Sequence, residues 1–321
     1  MSTKNINVVI AGKLSDRLMN KVESHFNAFR LWEMTDADKN VFYKEYADSI
    51  QAIVTSGNPV MGASRELIER FPNLKIIASN GVGFDSIDIK AAQQHNVTVT
   101  NTPKVLNDCV ADTGMALLLT VGRRICVADK YVRDGAWPEK GRFQMATKIS
   151  GKRCGIVGLG NIGQAVAQRA AGFNMEIHYY NPVPRDVNPA WISHESIIDL
   201  AKNSDFLVLT LPGGGETRGI INRDVFTALG ADGYLISISR GSVVNEKELI
   251  QALQNNVIAG AAMDVYEREP HVPQELMAMD NVVLTPHIAS GTTETFNAMA
   301  DLVFDNLTAY FAGKPVLTKV V

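Results

Sequence analysis

A glycine motif that directly follows a short apolar segment is the feature that most constrains the fold of this chain. The motif reads Gly158-Leu-Gly-Asn-Ile-Gly163, comes after a predicted strand at Cys154–Val157 and opens a predicted helix at Gln164–Ala171. In this setting the first glycine permits a tight turn, the second lets the backbone approach a pyrophosphate, and the third lets the helix pack closely on the strand. The helix N-terminus then favours an anion. The alternative is that the glycines serve only turns and packing. The motif predicts a dinucleotide site formed by Gly158, Leu159, Gly160, Asn161, Ile162 and Gly163.

Apolar, β-branched segments alternate with helix-like stretches along the whole chain, which is the pattern of βαβ units on parallel sheets. The first group of predicted strands is Ile6–Ile10, Ala52–Thr55, Ile76–Ala78 and Val97–Thr100, with helices at Ser15–Asn27, Ser64–Phe71 and Ser86–His95 and a long helical stretch at Val105–Arg133. The second group is Cys154–Val157, Glu176–Tyr180, Phe206–Leu209, Gly233–Ile238, Gly260–Met263 and Val282–Leu284, followed by a last helix from Thr292 to Gly313. The fold class predicted is α/β, with two Rossmann-like or flavodoxin-like doubly wound parallel-sheet domains.

Composition excludes several classes of protein. The chain has 321 residues, enough for two domains at about 150 residues each. Its net charge of −3 offers no basic excess, so neither nucleic acid nor an anionic membrane is expected as a partner. No apolar run approaches the roughly 18 residues of a membrane span, and the N-terminus has no signal-peptide pattern. Cys109, Cys126 and Cys154 are scattered and unpaired in spacing, which indicates a cytoplasmic protein without disulfides or a metal site.

The residues after the second strand of the glycine-motif unit bear on the choice of dinucleotide. Enzymes that use NAD usually place an acidic residue there, about 20 residues after the motif, to bind the ribose 2′-hydroxyl. This chain has Asn181, 18 residues after Gly163, and then Arg185. Asparagine does not repel a 2′-phosphate and arginine can form a charge-assisted pair with one. We therefore expect NADP(H) to be preferred, with NAD(H) as the alternative if Arg185 is merely solvated and Asp186 compensates.

Polar residues follow three further apolar strands of the second group. Arg240 comes after the strand Gly233–Ile238, Asp264 and Glu269 come after Gly260–Met263, and His287 comes after Val282–Leu284. Ligands of open parallel sheets bind outside the carboxyl ends of the strands. We therefore expect an arginine, a glutamate and a histidine to converge where a nicotinamide would lie.

With these blocks in place, the sequence resembles the D-isomer-specific 2-hydroxyacid dehydrogenase family over essentially its whole length. The loop from Asn181 to Arg185 looks most like that of the NADPH-dependent glyoxylate/hydroxypyruvate reductases within the family. The matching blocks are Asn80-Gly-Val-Gly83-Phe-Asp85, Asn101-Thr-Pro103, Val110-Ala-Asp112, the glycine motif, Ser239-Arg240-Gly241, Met263-Asp264-Val-Tyr, Glu269-Pro270 and Pro286-His287-Ile.

The resemblance implies a role for each catalytic position. His287 would be the general acid that protonates the keto oxygen, Glu269 would hydrogen-bond His287 and favour its imidazolium, and Arg240 would bind the substrate carboxylate and polarise the carbonyl. The backbone N–H groups of Val82 and Gly83 would hold the substrate carboxylate as well. Each residue alone has a structural alternative, a packed histidine or a surface ion pair, but their combination favours catalysis.

The resemblance also extends along the cofactor. Asp264 would hydrogen-bond the nicotinamide carboxamide, and the remaining cofactor contacts would come from Leu211, Pro212, Ile238 and Ser290. The chain departs from the family at Gly213–Gly215, where relatives carry a Leu-Thr-Pro-like stretch. It keeps glutamate at position 269, where the formate dehydrogenase branch has glutamine, which favours a 2-keto acid over formate.

The expected function is reduction of a short 2-keto acid, such as glyoxylate or hydroxypyruvate, to the D-2-hydroxy acid with NADPH. The expected substrate loop, residues 56–62, contains no lysine or arginine, so a phosphorylated substrate is disfavoured. Two alternatives stay open: an NAD-dependent D-2-hydroxyacid or 3-phosphoglycerate dehydrogenase, and a dinucleotide-sensing corepressor-like binding protein.

The motifs also predict how the domains divide the chain. The cofactor domain, 102–285, would be inserted into a substrate domain formed by 1–101 and 286–321. The long helical stretch Val105–Arg133 resembles the dimerisation arm of the family, so a homodimer is expected.

Overall fold

The computed structural model describes residues 3–57 and 61–321. The chain divides into two compact units, an N-terminal unit formed by Met1–Leu106 with Thr292–Val321, and an inserted unit, Asn107–Gly291. Both units are α/β with parallel sheets, which confirms the predicted fold class. The unit boundaries lie five and six residues further along the chain than the expected domain boundaries.

The N-terminal unit contains a five-stranded sheet with the strand order β2-β1-β3-β4-β5. This is the flavodoxin-like order, in which the chain starts inside the sheet and winds outward in both directions. The strands are β1 (Asn7–Ile10), β2 (Asn27–Arg30), β3 (Ile50–Ser56), β4 (Ile76–Asn80) and β5 (Thr98–Thr100), and the helices are α1 (Asp16–His25), α2 (Asp36–Tyr46), α3 (Arg65–Glu69), α4 (Ile89–Gln94) and α13 (Thr293–Phe311).

Both faces of this sheet are buried because successive side chains of a strand point to opposite sides. On β3, Ile53 packs into one apolar cluster while Ala52 and Val54 pack into the other. The second cluster includes Val303 and Leu307 of α13. The last helix is therefore part of the N-terminal unit, although most of the chain separates it from that unit in sequence.

The inserted unit contains a seven-stranded sheet with the strand order β12-β11-β10-β9-β6-β7-β8. Numbered from β6 and read from the β8 edge, this is the Rossmann order 3-2-1-4-5-6 with one further strand. The order in which the strands are added reverses between β6 and β9. The strands are β6 (Arg153–Val157), β7 (Glu176–Tyr180), β8 (Ile192–Ser193), β9 (Phe206–Leu209), β10 (Tyr234–Ser237), β11 (Gly260–Met263) and β12 (Val282–Leu284). The helices are α5 (Asn107–Arg123), α6 (Ile125–Arg133), α7 (Ala136–Lys140), α8 (Asn161–Gly172), α9 (Ile197–Lys202), α10 (Arg223–Leu229), α11 (Glu246–Gln254) and α12 (Gln274–Met277).

The structure corrects the prediction at several elements. The stretch predicted as one helix over Val105–Arg133 is two helices, because Arg124 adopts a left-handed conformation (φ 54°) between α5 and α6. Strand β2 and helix α2 were not predicted, although a capping box formed by Thr35 and Asp38 marks the start of α2.

Within residues 3–57 and 61–321, the search for a helix long and apolar enough to cross a membrane finds none.

Candidate active site

The predicted site residues of the inserted unit all follow the carboxyl ends of its strands. His287 comes after β12, Asp264 after β11, Arg240 after β10, the glycine motif after β6 and Asn181 after β7. The strands are parallel, so these ends lie on one edge of the sheet. The strand order therefore separates a group of ionisable side chains beside β10–β12 from a glycine-rich turn beside β6 and β7.

The glycine motif has the geometry that a dinucleotide requires. Gly158 has a positive φ of 94°, and a Cβ on Gly163 would lie 2.3 Å from the carbonyl oxygen of Gly158. A Cβ on Gly160 would meet no atom within 4 Å, so the backbone faces open space there. Helix α8 begins at Asn161 and Ile162 with Gly160 as its N-cap, and no side chain caps it. Its N-terminal N–H groups are thus available to an anion, and these residues fit a pyrophosphate.

The side chain of Asn181 is engaged with the glycine motif itself. Its Oδ1 accepts a hydrogen bond from the N–H of Leu159 at 2.9 Å, and its Nδ2 donates to the carbonyl of Val183 at 2.6 Å. The asparagine thereby joins the end of β7 to the turn after β6. Arg185 is exposed on the loop that follows, with no ion pair to another described residue. The structure thus leaves the guanidinium of Arg185 open to a ligand.

His287 and Glu269 form the central pair of the site. The Nδ1 of His287 lies 2.8 Å from Oε2 of Glu269. His287 adopts a left-handed backbone conformation (φ 53°), and its N–H donates to the carbonyl of Asp264 at 2.9 Å. The imidazole is about half exposed, and its Nε2 has no partner among the described residues. One nitrogen is therefore held by a carboxylate while the other is free to reach a substrate.

The environment of Glu269 favours its ionised form. Burial raises the pKa of Glu269. The hydrogen bond and charge of His287, the N–H of Tyr266 and the charge of Arg240 lower it by more, so the pKa lies below its ordinary value. The Tyr266 N–H donates to Oε1 at 3.1 Å. Each oxygen of the carboxylate thus has a donor, and the pair has the arrangement of a general acid with a carboxylate partner.

Asp264 holds the loop that carries His287. It has no exposed surface, and its carboxylate accepts hydrogen bonds from Thr285 Oγ1 at 2.6 Å, Ile288 N at 2.8 Å and Ala289 N at 2.9 Å. These bonds fix the backbone on both sides of His287. The contact from Asp264 to a nicotinamide carboxamide stays a prediction.

Tyr266 is a second support of this loop, and sequence reasoning assigned it no role. Its hydroxyl donates to the carbonyls of Met263 and Thr285, each at 3.0 Å, and so joins the ends of β11 and β12. Burial, followed by the charge of Asp264, raises the pKa of Tyr266 to about 12, so the hydroxyl keeps its proton. No sequence signal announces this role, because the two carbonyls belong to different strands.

Arg240 is followed by Gly241, a position where close packing leaves room only for glycine. A Cβ on Gly241 would come within 1.9 Å of the carbonyl of Tyr266, so the turn after β10 packs directly on the loop after β11. Arg240 is half-buried, and its Nη1 donates to the carbonyl of Ser239 at 2.9 Å. Its charge contributes to the low pKa of Glu269. Arg240, Glu269 and His287 therefore belong to one local structure.

The other predicted cofactor residues lie on the same edge of the sheet. Leu211 and Pro212 follow β9, and Leu211 packs against Gly158. Ile238 is buried directly after β10, and Ser290 lies in the turn before α13. The buried hydroxyl of Ser239, beside Ile238, has no hydrogen-bond partner among the described residues.

Val82 and Gly83 belong to the N-terminal unit, where they form a turn after β4. The side chain of Asn101 donates to the carbonyl of Val82 at 2.8 Å, and the Thr102 hydroxyl accepts from the N–H of Gly81 at 3.0 Å. These bonds hold the turn without using the N–H groups of Val82 and Gly83. Of the expected substrate loop, residues 58–60 lie outside the described residues. A search of the described part of the chain finds no group of His, Cys, Asp or Glu side chains that could hold a metal ion.

Comparison with known proteins assigns the class. The family model described as "D-isomer specific 2-hydroxyacid dehydrogenase, NAD binding domain" matches residues 115–289. The chain therefore belongs to the D-isomer-specific 2-hydroxyacid dehydrogenases, which are NAD(P)-dependent oxidoreductases and bind a nicotinamide dinucleotide.

Individual relatives cover nearly the whole chain. It is 48% identical over 320 residues to a glyoxylate/hydroxypyruvate reductase A of Arabidopsis thaliana, covering 99% of this chain and 100% of that one. It is 48% identical to a hydroxyphenylpyruvate reductase of Plectranthus scutellarioides, covering 98% and 99%. An NADPH-dependent glyoxylate/hydroxypyruvate reductase from Sinorhizobium meliloti, solved in complex with NADP and malonate, has a TM-score of 0.91 and 37% identity, covering 99% and 97%.

Proposed function

We propose that this protein reduces a short 2-keto acid to the D-2-hydroxy acid with NADPH as the reductant. The observation that carries the proposal is the hydrogen bond of 2.8 Å between His287 and Glu269 on the same sheet edge as Arg240 and the glycine motif. The full-length similarity to glyoxylate/hydroxypyruvate reductases supports it.

His287 supplies the proton in this reaction. Glu269 holds Nδ1 and, being ionised at neutral pH, favours the imidazolium. Nε2 then carries the proton that passes to the keto oxygen as that oxygen gains electron density. The hydrogen bonds of Asp264 keep the imidazole oriented without occupying Nε2.

Arg240 binds the substrate carboxylate and polarises the carbonyl, since its planar guanidinium matches a planar anion. Nicotinamide, when bound, supplies the hydride that reaches substrate C2. The N–H groups at the start of α8 would hold the pyrophosphate of the cofactor.

The cofactor loop (residues 181–191) favours NADPH over NADH. No carboxylate stands at position 181 to repel a 2′-phosphate, and the exposed guanidinium of Arg185 is available to pair with it. The inserted unit is thus the cofactor domain, and the N-terminal unit is the substrate domain.

A second copy of the chain covers helix α6 in a homodimer. None of the residues of α6 is buried within the chain, although Ile125 and Val132 lie on one face of it. Trp137, on the next helix, is also largely exposed. Exposed apolar residues in sequence proximity are typical of an interface.

A panel of 2-keto acids assayed with both cofactors tests the proposed activity. We expect oxidation of NADPH with glyoxylate and hydroxypyruvate, and a loss of kcat/KM of about 10²- to 10⁴-fold in His287→Ala, because the general acid is removed. His95→Ala, a surface histidine of the N-terminal unit, is the control and should keep wild-type activity.

The same panel separates the alternatives. Comparable efficiency with NADH, or turnover of 3-phosphohydroxypyruvate above the unphosphorylated acids, would contradict the proposed specificity. Binding of NADPH without turnover of any 2-keto acid would favour a dinucleotide-sensing binding protein.

A further inference from the structure

Two histidines outside the catalytic group form a hydrogen-bonded chain with two carboxylates. Nδ1 of His178, on β7, lies 2.8 Å from Nε2 of His194, which follows β8. The outer nitrogens reach Glu176 (His178 Nε2 to Oε1, 2.8 Å) and Asp199 of α9 (His194 Nδ1 to Oδ2, 2.8 Å). The two imidazoles are thereby joined to one another.

The two imidazoles of this histidine pair (His178 and His194) are almost fully buried, whereas the carboxylates are half exposed. The side chains of His178 and His194 are 7% and 8% exposed. Burial lowers the pKa of His178, the hydrogen bond and charge of Glu176 oppose this, and the charges of His194 and of Arg153 on β6 add to the lowering. His178 is therefore favoured as the neutral member of the pair.

Counting protons shows which state satisfies all three hydrogen bonds. An ionised carboxylate only accepts, so His178 must donate from Nε2 to Glu176 and His194 must donate from Nδ1 to Asp199. The central contact between Nδ1 and Nε2 needs one more proton. The pair therefore satisfies all three hydrogen bonds when it holds three protons.

The geometry excludes a metal ion as the bridge. A zinc ion between two imidazole nitrogens would need about 2.0–2.1 Å to each of them, and its tetrahedral ligands would stand further apart than a hydrogen bond. The 2.8 Å separation of the two nitrogens is that of a direct hydrogen bond.

The position of the histidine pair relates it to the cofactor loop. Strand β8 has two residues, both exposed, and pairs with β7 through His178 opposite Ile192 and Tyr179 opposite Ser193. The N–H of His194 also donates to the carbonyl of Tyr179 at 2.9 Å. The buried side chain of His194 thus anchors the returning end of the loop, while Asn181 anchors its start on the glycine motif.

We propose that His178 and His194 are positioning residues that hold the cofactor loop, and with it Arg185, in place for the 2′-phosphate of the dinucleotide. This inference rests on the proposed preference for NADPH. The hydrogen bonds of His194 tie the end of β8 to β7 and to α9, so their loss should loosen the loop.

Cofactor binding by variants of the histidine pair tests the proposal. Dissociation constants of NADPH and NADH are measured by nicotinamide fluorescence at one neutral pH in the absence of keto acid. Loss of one hydrogen bond of the pair should weaken the binding of NADPH about fivefold and change that of NADH little, because only NADPH offers a phosphate to Arg185.

His194→Gln leaves an amide that can face His178 but removes the hydrogen bond to Asp199. We expect it to weaken NADPH binding about fivefold and to leave NADH binding little changed. Asp199→Asn, at the half-exposed outer end, should act in the same direction and guards against misfolding of the buried variant. His95→Gln is the matched control and should bind like the wild type.

Hydrogen exchange of residues 183–191 in the cofactor-free protein provides a readout that does not depend on NADPH preference. Faster exchange in His194→Gln and Asp199→Asn than in the wild type supports the proposal. Wild-type exchange and wild-type NADPH affinity in both variants would overturn it. If the wild type binds NADPH and NADH equally, the proposed cofactor preference fails, and the exchange rates still decide whether the histidine pair holds the loop.

Discussion

At the scale of single residues, the candidate site depends on the hydrogen bonds that two of its carboxylates make. Glu269 gives one oxygen to the N–H of Tyr266 and the other to His287. The carboxylate of Asp264, five residues earlier, accepts hydrogen bonds from the backbone next to His287. The two acidic residues of one loop therefore differ: Asp264 holds the backbone around His287, and Glu269 holds the imidazole itself.

The pH profile of Glu269→Gln tests this division. The pKa of Glu269 lies below its ordinary value of 4.5, so the carboxylate is charged at neutral pH and loses its effect only as the pH falls through that lowered value. Without the charge, Nδ1 of His287 loses its charged hydrogen-bond partner. We expect kcat/KM of Glu269→Gln to fall about tenfold or more at neutral pH, and the difference from the wild type to shrink as the pH falls through the lowered pKa of Glu269, where the wild-type carboxylate is itself protonated.

Glu267→Gln is the control for that measurement, since it removes a carboxylate from the same loop that faces Arg218 instead of His287. An unchanged pH profile in Glu269→Gln would contradict the assigned role.

The sequence predicted His287, Glu269 and Arg240 because each follows an apolar strand. It did not predict their supports. Tyr266 reaches carbonyls at the ends of two strands, and these are adjacent only in the folded sheet. A signal for His178 was present, since Glu176 and His178 are two apart on a strand and share a face. Nothing in the sequence placed His194 opposite them.

At the scale of elements, the loop between β7 and β8 is held mainly at its two ends. Its start is tied by Asn181, and its end returns through a strand of only two residues. The identity of Asn181 and Arg185 predicted a preference for a phosphate. The contact of the Asn181 amide with the N–H of Leu159 required the folded turn.

Arg185→Ala measures what this loop contributes to cofactor choice. We expect the KM for NADPH to rise about tenfold and the KM for NADH to change little, because only NADPH offers a phosphate to the guanidinium. Arg70→Ala, a surface arginine of the N-terminal unit paired with Glu66, is the charge-matched control. Parallel changes for both cofactors in Arg185→Ala would refute the assignment.

At the scale of the whole molecule, the chain folds as one unit inserted into another. The N-terminal unit takes its last helix, α13, from beyond the inserted unit, and Val303 and Leu307 fill the same apolar cluster as strand β3. The local break at Arg124 separates α5, which is packed inside the inserted unit, from α6, which has no fully buried residue.

The oligomeric state of the protein is a property of the whole molecule that can be tested at α6. If a second copy covers α6, Val132→Glu places a charge in an apolar interface and should shift sedimentation from dimer toward monomer. Met277→Glu, which alters an equally exposed apolar residue on α12, should leave the assembly as in the wild type. A wild-type protein that sediments as a monomer at micromolar concentration would rule the dimer out.

The sequence by itself determined the parallel α/β class, the dinucleotide turn and the identity of the ionisable residues, because strand periodicity, glycine spacing and strand-end position are local properties. Tertiary structure decided what those residues touch. The order of the strands set His287 beside Asp264 and Tyr266, and the pairing of β8 with β7 set His194 against His178. These contacts join segments that are distant in sequence, and only the folded sheet determines which strand ends become neighbours.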